Sequence, residues 1–327
     1  MVDGHPAIVY TRIHPPQRPA MPFGQVPRLV GAVGTPGSAM SFVIEDVLVR
    51  NDPIVPRLPV FFDSPHSGTV YPRDFAFVCP ASTLRQAEDT HVDELFAHAP
   101  EHGATLLCAL FPRTYIDANR AIDDIDPAIL DGRWPEPLRP TEKSAAGMGL
   151  IRTLCRPGMP LYDGRLSVAE VAERIDRYYR PYHFQVASVM DDLADRFGAV
   201  WHIDCHSMPS AVGPGAAHKL GMDFVLGDRD GTSCEPGFTA LVERVLTGLG
   251  YKVTRNHPFK GVELVSRHSN PARGRHSLQL EINRRLYMNE ETLERNEGFA
   301  RLQANLTTLT RRICAHAQAS TARRAAE

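Results

Sequence analysis

One short stretch, residues 199–208, constrains the fold of this chain more than any other part of the sequence. It reads Ala-Val-Trp-His-Ile-Asp-Cys-His-Ser-Met, an apolar run of β-forming residues that ends in a polar cluster. Such a run is typical of a buried strand, and open α/β sheets place their sites at the ends of such strands. The stretch therefore predicts a central strand that brings reactive side chains to one edge of a sheet.

The alternation of side chains along a strand decides which residues of this stretch can act together. Successive side chains point to opposite faces, so His202, Asp204 and His206 share one face while Cys205 takes the other. This geometry disfavours Cys205 and His206 as a nucleophilic pair, whereas a metal ligand at His206 with Asp204 nearby is sterically natural. A hydrogen-bonded histidine at a strand end, without a chemical role, is the alternative interpretation.

The rest of the chain alternates between strand and helix patterns. Strands are predicted at 58–63, 104–111, 223–227, 251–254 and 277–283, and helices at 83–99, 236–249 and 290–317. A capping box at Ser167 and Glu170 opens a further long amphipathic helix, in which Pro181 is expected to introduce a kink. The alternation predicts an α/β fold, a three-layer α/β/α sandwich with a mixed, mostly parallel central sheet.

Changes of composition along the chain predict one folded domain with an extension at each end. Residues 1–39 are rich in Pro and Gly and lack periodicity, so we expect them to be disordered, with Met40 as a candidate for the natural start. Residues 40–320 are expected to form a single domain, followed by a short tail at 321–327. The segment 122–166 has no clear periodicity and is expected to form a lid or specificity loop near the site.

Charge and hydropathy narrow the class of partner. The formal net charge is −2, and no apolar stretch approaches the roughly 20 residues that a membrane helix needs. We therefore expect neither a nucleic-acid nor a membrane partner, but a small-molecule substrate. The six cysteines are far apart and form no CxxC pair, which predicts reduced thiols and a cytoplasmic protein.

Two histidines are candidates for a metal site. His66 and His206 each follow a predicted strand at its polar end, where both would reach the same edge of the sheet. Two histidines and one carboxylate with an open fourth position form the ligand set of a catalytic zinc ion. A carboxypeptidase-type motif would carry an acid three residues after the first histidine, but that position is Thr69. The carboxylate must come from elsewhere, and the candidates are Asp93 and Asp89.

Five motifs, taken in order, resemble the N-formylglutamate amidohydrolase family over residues 56 to about 310. They are Ser64-Pro65-His66-Ser67-Gly68, Asp89-Thr90-His91-Val92-Asp93-Glu94-Leu95, Asp117-Ala118-Asn119-Arg120, Asp204-Cys205-His206-Ser207-Met208, and Leu278-Gln279-Leu280-Glu281-Ile282-Asn283 with Leu286-Tyr287-Met288. The resemblance implies a zinc-dependent hydrolase with a metallocarboxypeptidase-like fold. It also implies an activity in histidine degradation, the splitting of N-formyl-L-glutamate into formate and glutamate.

The resemblance assigns roles to individual residues. It implies that one Zn²⁺ per chain is bound by three ligands, His66, Asp93 and His206. It makes Glu281 the general base and gives the substrate carboxylate to Asn119 and Arg120. The residue types agree with these roles, because a glutamate inside an apolar strand is costly unless it serves a site or an ion pair.

Other residues are expected to support the site. Arg113 and Arg152 are candidates for binding a second substrate carboxylate, since a guanidinium offers a planar fork to a carboxylate. Asp204, His91 and Asp89 are expected to orient the metal ligands from behind. Ordinary polar contacts are the alternative for these three.

Two other functional classes remain open at this point. One is a related zinc amidohydrolase that cleaves another N-acyl amino acid or a short peptide. The other is a binding protein that keeps the fold without catalysis, although the presence of Glu281 with a full set of candidate ligands argues against it. A cysteine hydrolase that uses Cys205 is the least supported. The sequence does not predict the oligomeric state.

Overall fold

The computed structural model describes residues 29–33, 41–212 and 218–326. Nine strands within these residues form one mixed sheet. The described strands are β1 (Leu29–Val33), β2 (Ser41–Ile44), β3 (Leu48–Asn51), β4 (Val60–Ser64), β5 (Thr105–Ala109), β6 (Leu130–Asp131), β7 (Leu154–Arg156), β8 (Met159–Pro160), β9 (Leu166–Ser167), β10 (Val200–Met208), β11 (Ala211–Val212), β12 (His218–Lys219), β13 (Phe224–Gly227), β14 (Val253–Arg255) and β15 (Arg275–Asn283). The strand order of the large sheet is β1-β2-β3-β5-β4-β10-β15-β13-β14.

The centre of this sheet is parallel. Strands β5, β4, β10 and β15 pair in parallel, whereas β1, β2 and β3 continue the sheet on one side through antiparallel pairs. On the other side β13 is antiparallel to β15 and parallel to β14. The prediction of a mixed α/β sheet with a parallel centre is confirmed. The central strands are buried along almost their whole length, which is why they read as apolar runs in the sequence.

Helices pack against this sheet through two apolar clusters. The described helices are α1 (Ala81–Arg85), α2 (Val92–Leu95), α3 (Glu142–Ala145), α4 (Val168–Arg174), α5 (Arg180–Phe197), α6 (Pro236–Gly248), α7 (Glu263–His268) and α8 (Phe299–Ala326). Phe61 of β4 belongs to the cluster that contains residues of α4 and α5, and Phe62 belongs to the cluster of α6 and α8. Neighbouring residues of a strand face opposite sides, so the two clusters cover opposite faces of the sheet.

The predicted helix over 83–99 is wrong. The chain forms the short helices α1 and α2 there, followed by a 3₁₀ turn at Ala99–His102. His91, just before α2, has a left-handed backbone with φ 67°, which a continuous right-handed helix does not allow. Asp89 and Asp93 therefore do not share a face of one helix.

The capping box at the start of α4 is confirmed. The Ser167 hydroxyl accepts a hydrogen bond from the Glu170 N–H at 3.1 Å, and the Glu170 carboxylate accepts one from the Ser167 N–H at 2.8 Å. A π-helical turn at Ile175–Tyr179 joins α4 to α5. Pro181 lies in the first turn of α5, directly after the π-helical turn, where its missing N–H is tolerated.

The expectation that all six cysteines are reduced is wrong for two of them. Cys79 and Cys155 form a disulfide, although 76 positions separate them in the sequence. Cys108, Cys205, Cys234 and Cys314 are free and buried. The disulfide attaches β7, within the segment 122–166, to the loop that precedes α1.

Three further predictions concern the ends of the chain and the membrane. Residues 1–28 and 34–39 of the predicted disordered extension lie outside the described residues, and Leu29–Val33 forms β1, which pairs with β2. The predicted tail at 321–327 differs from the structure, because α8 continues through it to Ala326. Within the described chain, no helix is both long and apolar enough to cross a membrane. The single domain over 40–320 stays a prediction.

Candidate metal centre

The parallel centre of the sheet aligns the polar side chains of two strands. In the pairing of β10 with β15, His206 lies opposite Glu281, and Asp204 lies opposite Gln279. Because strand side chains alternate, these four share one face of the sheet. Cys205 lies on the other face within an apolar cluster, and burial raises the pKa of its thiol well above the usual value. Cys205 is therefore not an activated nucleophile.

Two loops bring a second histidine and a carboxylate to this edge. His66 follows β4, and the Asp89 N–H donates a hydrogen bond to the His66 carbonyl at 2.9 Å. Oδ2 of Asp89 lies 3.3 Å from Nδ1 of His66 and 3.1 Å from Nδ1 of His206. One ligand atom from each residue lies within 4.8 Å of the other two, and all three residues are buried. Because these three residues could hold a metal ion, we refer to His66, Asp89 and His206 as the metal-binding group.

Each histidine of the metal-binding group has a carboxylate behind it. Nε2 of His66 lies 2.7 Å from Oδ1 of Asp117, and Nε2 of His206 lies 2.7 Å from Oδ1 of Asp204. The hydrogen bond of His66 with Asp117 holds the proton of the neutral ring on Nε2 and leaves the lone pair of Nδ1 for a ligand. Both Nδ1 atoms then face the same oxygen of Asp89.

The carboxylate of Asp89 is divided between two tasks. Its Oδ1 accepts hydrogen bonds from the Ser207 hydroxyl and from Nη2 of Arg284, both at 3.1 Å, which leaves Oδ2 for the histidines. Burial raises the pKa of Asp89, but hydrogen bonds with His206 and His66 lower it well below the usual range. Asp89 is therefore ionised, as a metal ligand must be.

The residues fit a divalent cation. Nδ1 of His66 is buried and has no aligned hydrogen bond within the described residues, so its lone pair is available. Burial lowers the pKa of His206, but the charge of Asp204 and hydrogen bonds with Asp204 and Asp89 raise it well above the usual value, so the site favours positive charge at this ring. Two imidazole nitrogens and a carboxylate oxygen are typical zinc donors.

Glu281 lies beside the metal-binding group in a buried position, with 8% of its surface exposed. Its Oε1 accepts a hydrogen bond from Nε2 of Gln279 at 2.9 Å. Burial raises the pKa of Glu281 to about 7, against the lowering effect of His206. A carboxyl group with this pKa can both take up and release a proton near neutral pH.

Asp93, expected to be a metal ligand, and His91, expected to orient the ligands, lie outside the metal-binding group. The backbone N–H of Asp93 donates to the Ser67 hydroxyl at 3.2 Å, and burial raises the pKa of the Asp93 carboxyl to about 6. His91 contacts Glu94 through Nδ1 at 2.9 Å and the Leu293 carbonyl through Nε2 at 3.0 Å. The left-handed turn at His91 explains why Asp89, expected behind the ligands, occupies the position expected for Asp93.

The residues expected to bind substrate already form hydrogen bonds with different groups of the protein. Both amide atoms of Asn119 contact protein groups, since Oδ1 accepts from the Leu264 N–H at 2.9 Å and Nδ2 lies 3.0 Å from Nε2 of His206. Arg120 donates to the carbonyls of Met148 and Asn119, at 2.9 and 2.8 Å. Arg113 donates to Oδ2 of Asp117 through Nη2 at 2.9 Å and through Nε at 3.2 Å.

Comparison with known proteins connects this geometry to one family. The sequence model of the N-formylglutamate amidohydrolase family matches residues 58–288, which include the metal-binding group and Glu281. This chain belongs to the N-formylglutamate amidohydrolase family. An N-formylglutamate deformylase from Pseudomonas aeruginosa is 32% identical over 241 residues, covering 72% of this chain and 84% of that protein. One from Pseudomonas putida is 31% identical over 240 residues, covering 72% and 83%.

One solved structure agrees with the family assignment, and a second shares the fold. The crystal structure of an N-formylglutamate amidohydrolase from Ralstonia eutropha JMP134 is 51% identical, with a TM-score of 0.81, and the match covers 84% of this chain and 99% of that one. A gene product from Agrobacterium tumefaciens shares the fold at 18% identity, with a TM-score of 0.58.

Two residues of this N-formylglutamate amidohydrolase family member were not predicted for the site. Asp117, which supports His66, stands in the Asp-Ala-Asn-Arg motif, so a signal was available in the sequence. Arg284 follows the last strand directly and hydrogen-bonds Asp89, Ser207 and the carbonyls of Gln86 and Glu88. Nothing in the sequence except its place after Asn283 indicates this role.

Proposed function

We propose that this chain is a metal-dependent deformylase that hydrolyses N-formyl-L-glutamate to formate and L-glutamate. The main support for this proposal is the buried group of His66, Asp89 and His206, with Glu281 on the same face of the sheet as His206. The names of the relatives agree with this substrate. The proposal includes one zinc ion per chain, a cytoplasmic role in histidine degradation and a three-layer, metallocarboxypeptidase-like arrangement of the fold.

The proposed ligands are Nδ1 of His66, Nδ1 of His206 and Oδ2 of Asp89. Asp89 replaces Asp93 in this role, because its oxygen is the one that faces both histidines. When bound, zinc supplies polarisation of the formyl carbonyl and a lowered pKa of the attacking water. Asp117 and Asp204 hold the two imidazoles in the tautomer that such binding requires.

Glu281 is the proposed proton carrier of the reaction. It accepts a proton from the attacking water and later delivers it to the amide nitrogen, so that the C–N bond breaks and the amine of glutamate leaves. The same carboxyl group serves both steps because its pKa, raised by burial to about 7, lies close to the working pH.

Arg120 is the proposed partner of the substrate α-carboxylate. Its hydrogen bonds with two backbone carbonyls orient the guanidinium but leave its charge without a carboxylate partner in the described structure. Arg113, in contrast, is already neutralised by Asp117. Asn119 is assigned a positioning role, since its amide contacts His206 and the Leu264 N–H.

The test is a direct assay of formate and glutamate release from N-formyl-L-glutamate by the purified full chain. We expect turnover that a chelator removes and added Zn²⁺ restores. Turnover that survives complete removal of metal would contradict the metal-dependent mechanism. A panel of N-acyl amino acids and short peptides belongs to the same experiment, because hydrolysis of these in place of N-formylglutamate would favour the related amidohydrolase.

A further inference from the structure

A cavity of about 510 Å³ is lined by residues of two segments, 83–87 and 146–158, the first of which ends two residues before Asp89. Arg284 connects its wall to the metal-binding group. Arg284 donates to the carbonyl of Gln86, a wall residue, at 2.8 Å and to Oδ1 of Asp89 at 3.1 Å. Arg120 donates to the carbonyl of Met148, another wall residue, at 2.9 Å. The volume is within the range of small-molecule sites, about 300–1,000 Å³.

Arg152 lines this cavity and is an unusual buried cation. Only 7% of its surface is exposed, and its guanidinium has no hydrogen-bond or ion-pair partner among the described residues. A buried charge is costly unless another charge or hydrogen bond compensates it. The carboxylates of Asp117 and Asp89 attract its charge but do not hydrogen-bond it in the described structure, so a ligand carboxylate would supply the missing hydrogen-bond partner.

The surroundings of Arg152 carry an excess of positive charge. Burial and the neighbouring guanidinium of Arg113 lower the pKa of Arg152 to about 9. Partial burial, followed by the charges of Arg120, Arg113 and Arg152, lowers the pKa of Lys143, whose side chain reaches the solvent. Of the three arginines, Arg113 forms an ion pair with Asp117, whereas Arg120 and Arg152 form none within 4 Å in the described structure, although the charge of Asp117 acts on both.

We propose that Arg152 binds the side-chain carboxylate of the substrate in this cavity and so selects N-formyl amino acids with an acidic side chain. The inference rests on the proposed deformylase function and adds its specificity. Glutamate has two carboxylates, and the site has two guanidiniums without a carboxylate partner, Arg120 for the α-carboxylate and Arg152 for the side chain. A guanidinium fork binds a carboxylate in two parallel hydrogen bonds. The side chains of Ala87, Met148 and Leu154 line the wall and can contact the methylene groups of the substrate.

The experiment compares N-formylglutamate with N-formylglutamine, which has the same size but no side-chain charge. We expect the native chain to prefer N-formylglutamate in kcat/KM by about 100-fold, because a neutral amide leaves the buried guanidinium unpaired. In Arg152→Met, kcat/KM for N-formylglutamate should fall by about 100-fold while the value for N-formylglutamine changes little. Arg152→Lys, which keeps the charge but loses the fork, should lie between the two.

Two further arginines of the same segment serve as controls. Arg133 is exposed, and Arg133→Met should leave the substrate ratio unchanged. Arg156 is an exposed arginine of the cavity wall, so Arg156→Met tests whether another cation of the cavity carries the selectivity. An equal loss for both substrates in Arg152→Met, or a selective loss in Arg156→Met alone, would overturn the proposal. A thermal melt of each variant establishes that it is folded.

Binding measurements separate this inference from the proposed function. Calorimetric titration should show that glutarate, a dicarboxylate, binds the native chain more tightly than butyrate, and that Arg152→Met removes the difference. If the native chain hydrolyses no N-formyl amino acid, the proposed function fails, while the glutarate titration still decides the role of Arg152. Equal binding of glutarate to the native chain and to Arg152→Met would reject the inference even if N-formylglutamate is hydrolysed.

Discussion

Buried charges have partners in the metal-binding group, whereas a buried charge in the neighbouring cavity has none among the described residues. In the metal-binding group every charged side chain has a partner of opposite charge or a hydrogen-bond donor: the histidines contact Asp117 and Asp204, and Asp89 accepts hydrogen bonds from Ser207 and Arg284. In the cavity, Arg152 has no such partner among the described residues.

This difference separates two requirements of one site. Ligands of a metal and the base beside it must be held in one geometry before substrate arrives, and mutual hydrogen bonds provide that rigidity. A residue that recognises substrate must instead keep its hydrogen-bonding capacity free until the substrate is bound. Under the proposed function, the paired charges form the reaction centre, and the unpaired charge binds the variable part of the substrate.

The largest expected effect concerns the third metal ligand. Asp89→Asn removes the charged oxygen that faces both histidines, so we expect loss of bound zinc and of measurable turnover. Asp93→Asn is the matched control, because Asp93 lies four residues away and outside the metal-binding group. Zinc content per chain, measured by elemental analysis, and turnover are the readouts. Loss of zinc in Asp93→Asn with retention in Asp89→Asn would reverse the assignment.

The next effect concerns the base. Glu281→Gln keeps the shape of the side chain but cannot carry a proton, so we expect kcat to fall by roughly 10²–10⁴-fold while zinc content stays the same. Gln279→Leu removes the hydrogen bond that Gln279 donates to Glu281, so it is the control for the effect of that bond. Gln279→Glu is unsuitable because it would place a second acid beside Glu281. Near-native turnover of Glu281→Gln would remove Glu281 from the mechanism.

Much of the reaction centre could be predicted from the sequence because it follows from strand alternation. The apolar run that ends at Met208 predicts β10, and its alternation separates His206 from Cys205. The polar residue inside the last apolar strand, Glu281, is opposite His206 in the parallel pairing. Patterns of period two therefore carry information about the face of the sheet on which a side chain lies.

The remaining parts depend on loop geometry and on contacts between distant segments. The choice between Asp89 and Asp93 follows from the left-handed backbone of His91, and the apolar spacing around it suggested a continuous helix. The disulfide of Cys79 with Cys155 joins residues 76 positions apart, so no local pattern could indicate it. Whether an arginine is paired or unpaired, as with Arg113 and Arg152, is likewise a property of the folded chain alone.

The smallest expected effect tests the comparison of paired and unpaired charge directly, through stability. Arg113→Met leaves the buried carboxylate of Asp117 without its cation, and breaking such a pair costs about 3–5 kcal/mol in the free energy of unfolding. Arg152→Met removes a buried charge that has no partner, so the free energy of unfolding should stay the same or rise by up to about 2 kcal/mol. Urea unfolding of both variants, with the exposed Arg133→Met as reference, measures the difference. If Arg152→Met destabilised the chain as much as Arg113→Met, Arg152 would have a structural partner. Buried charge would then be paired in the cavity as it is in the metal-binding group.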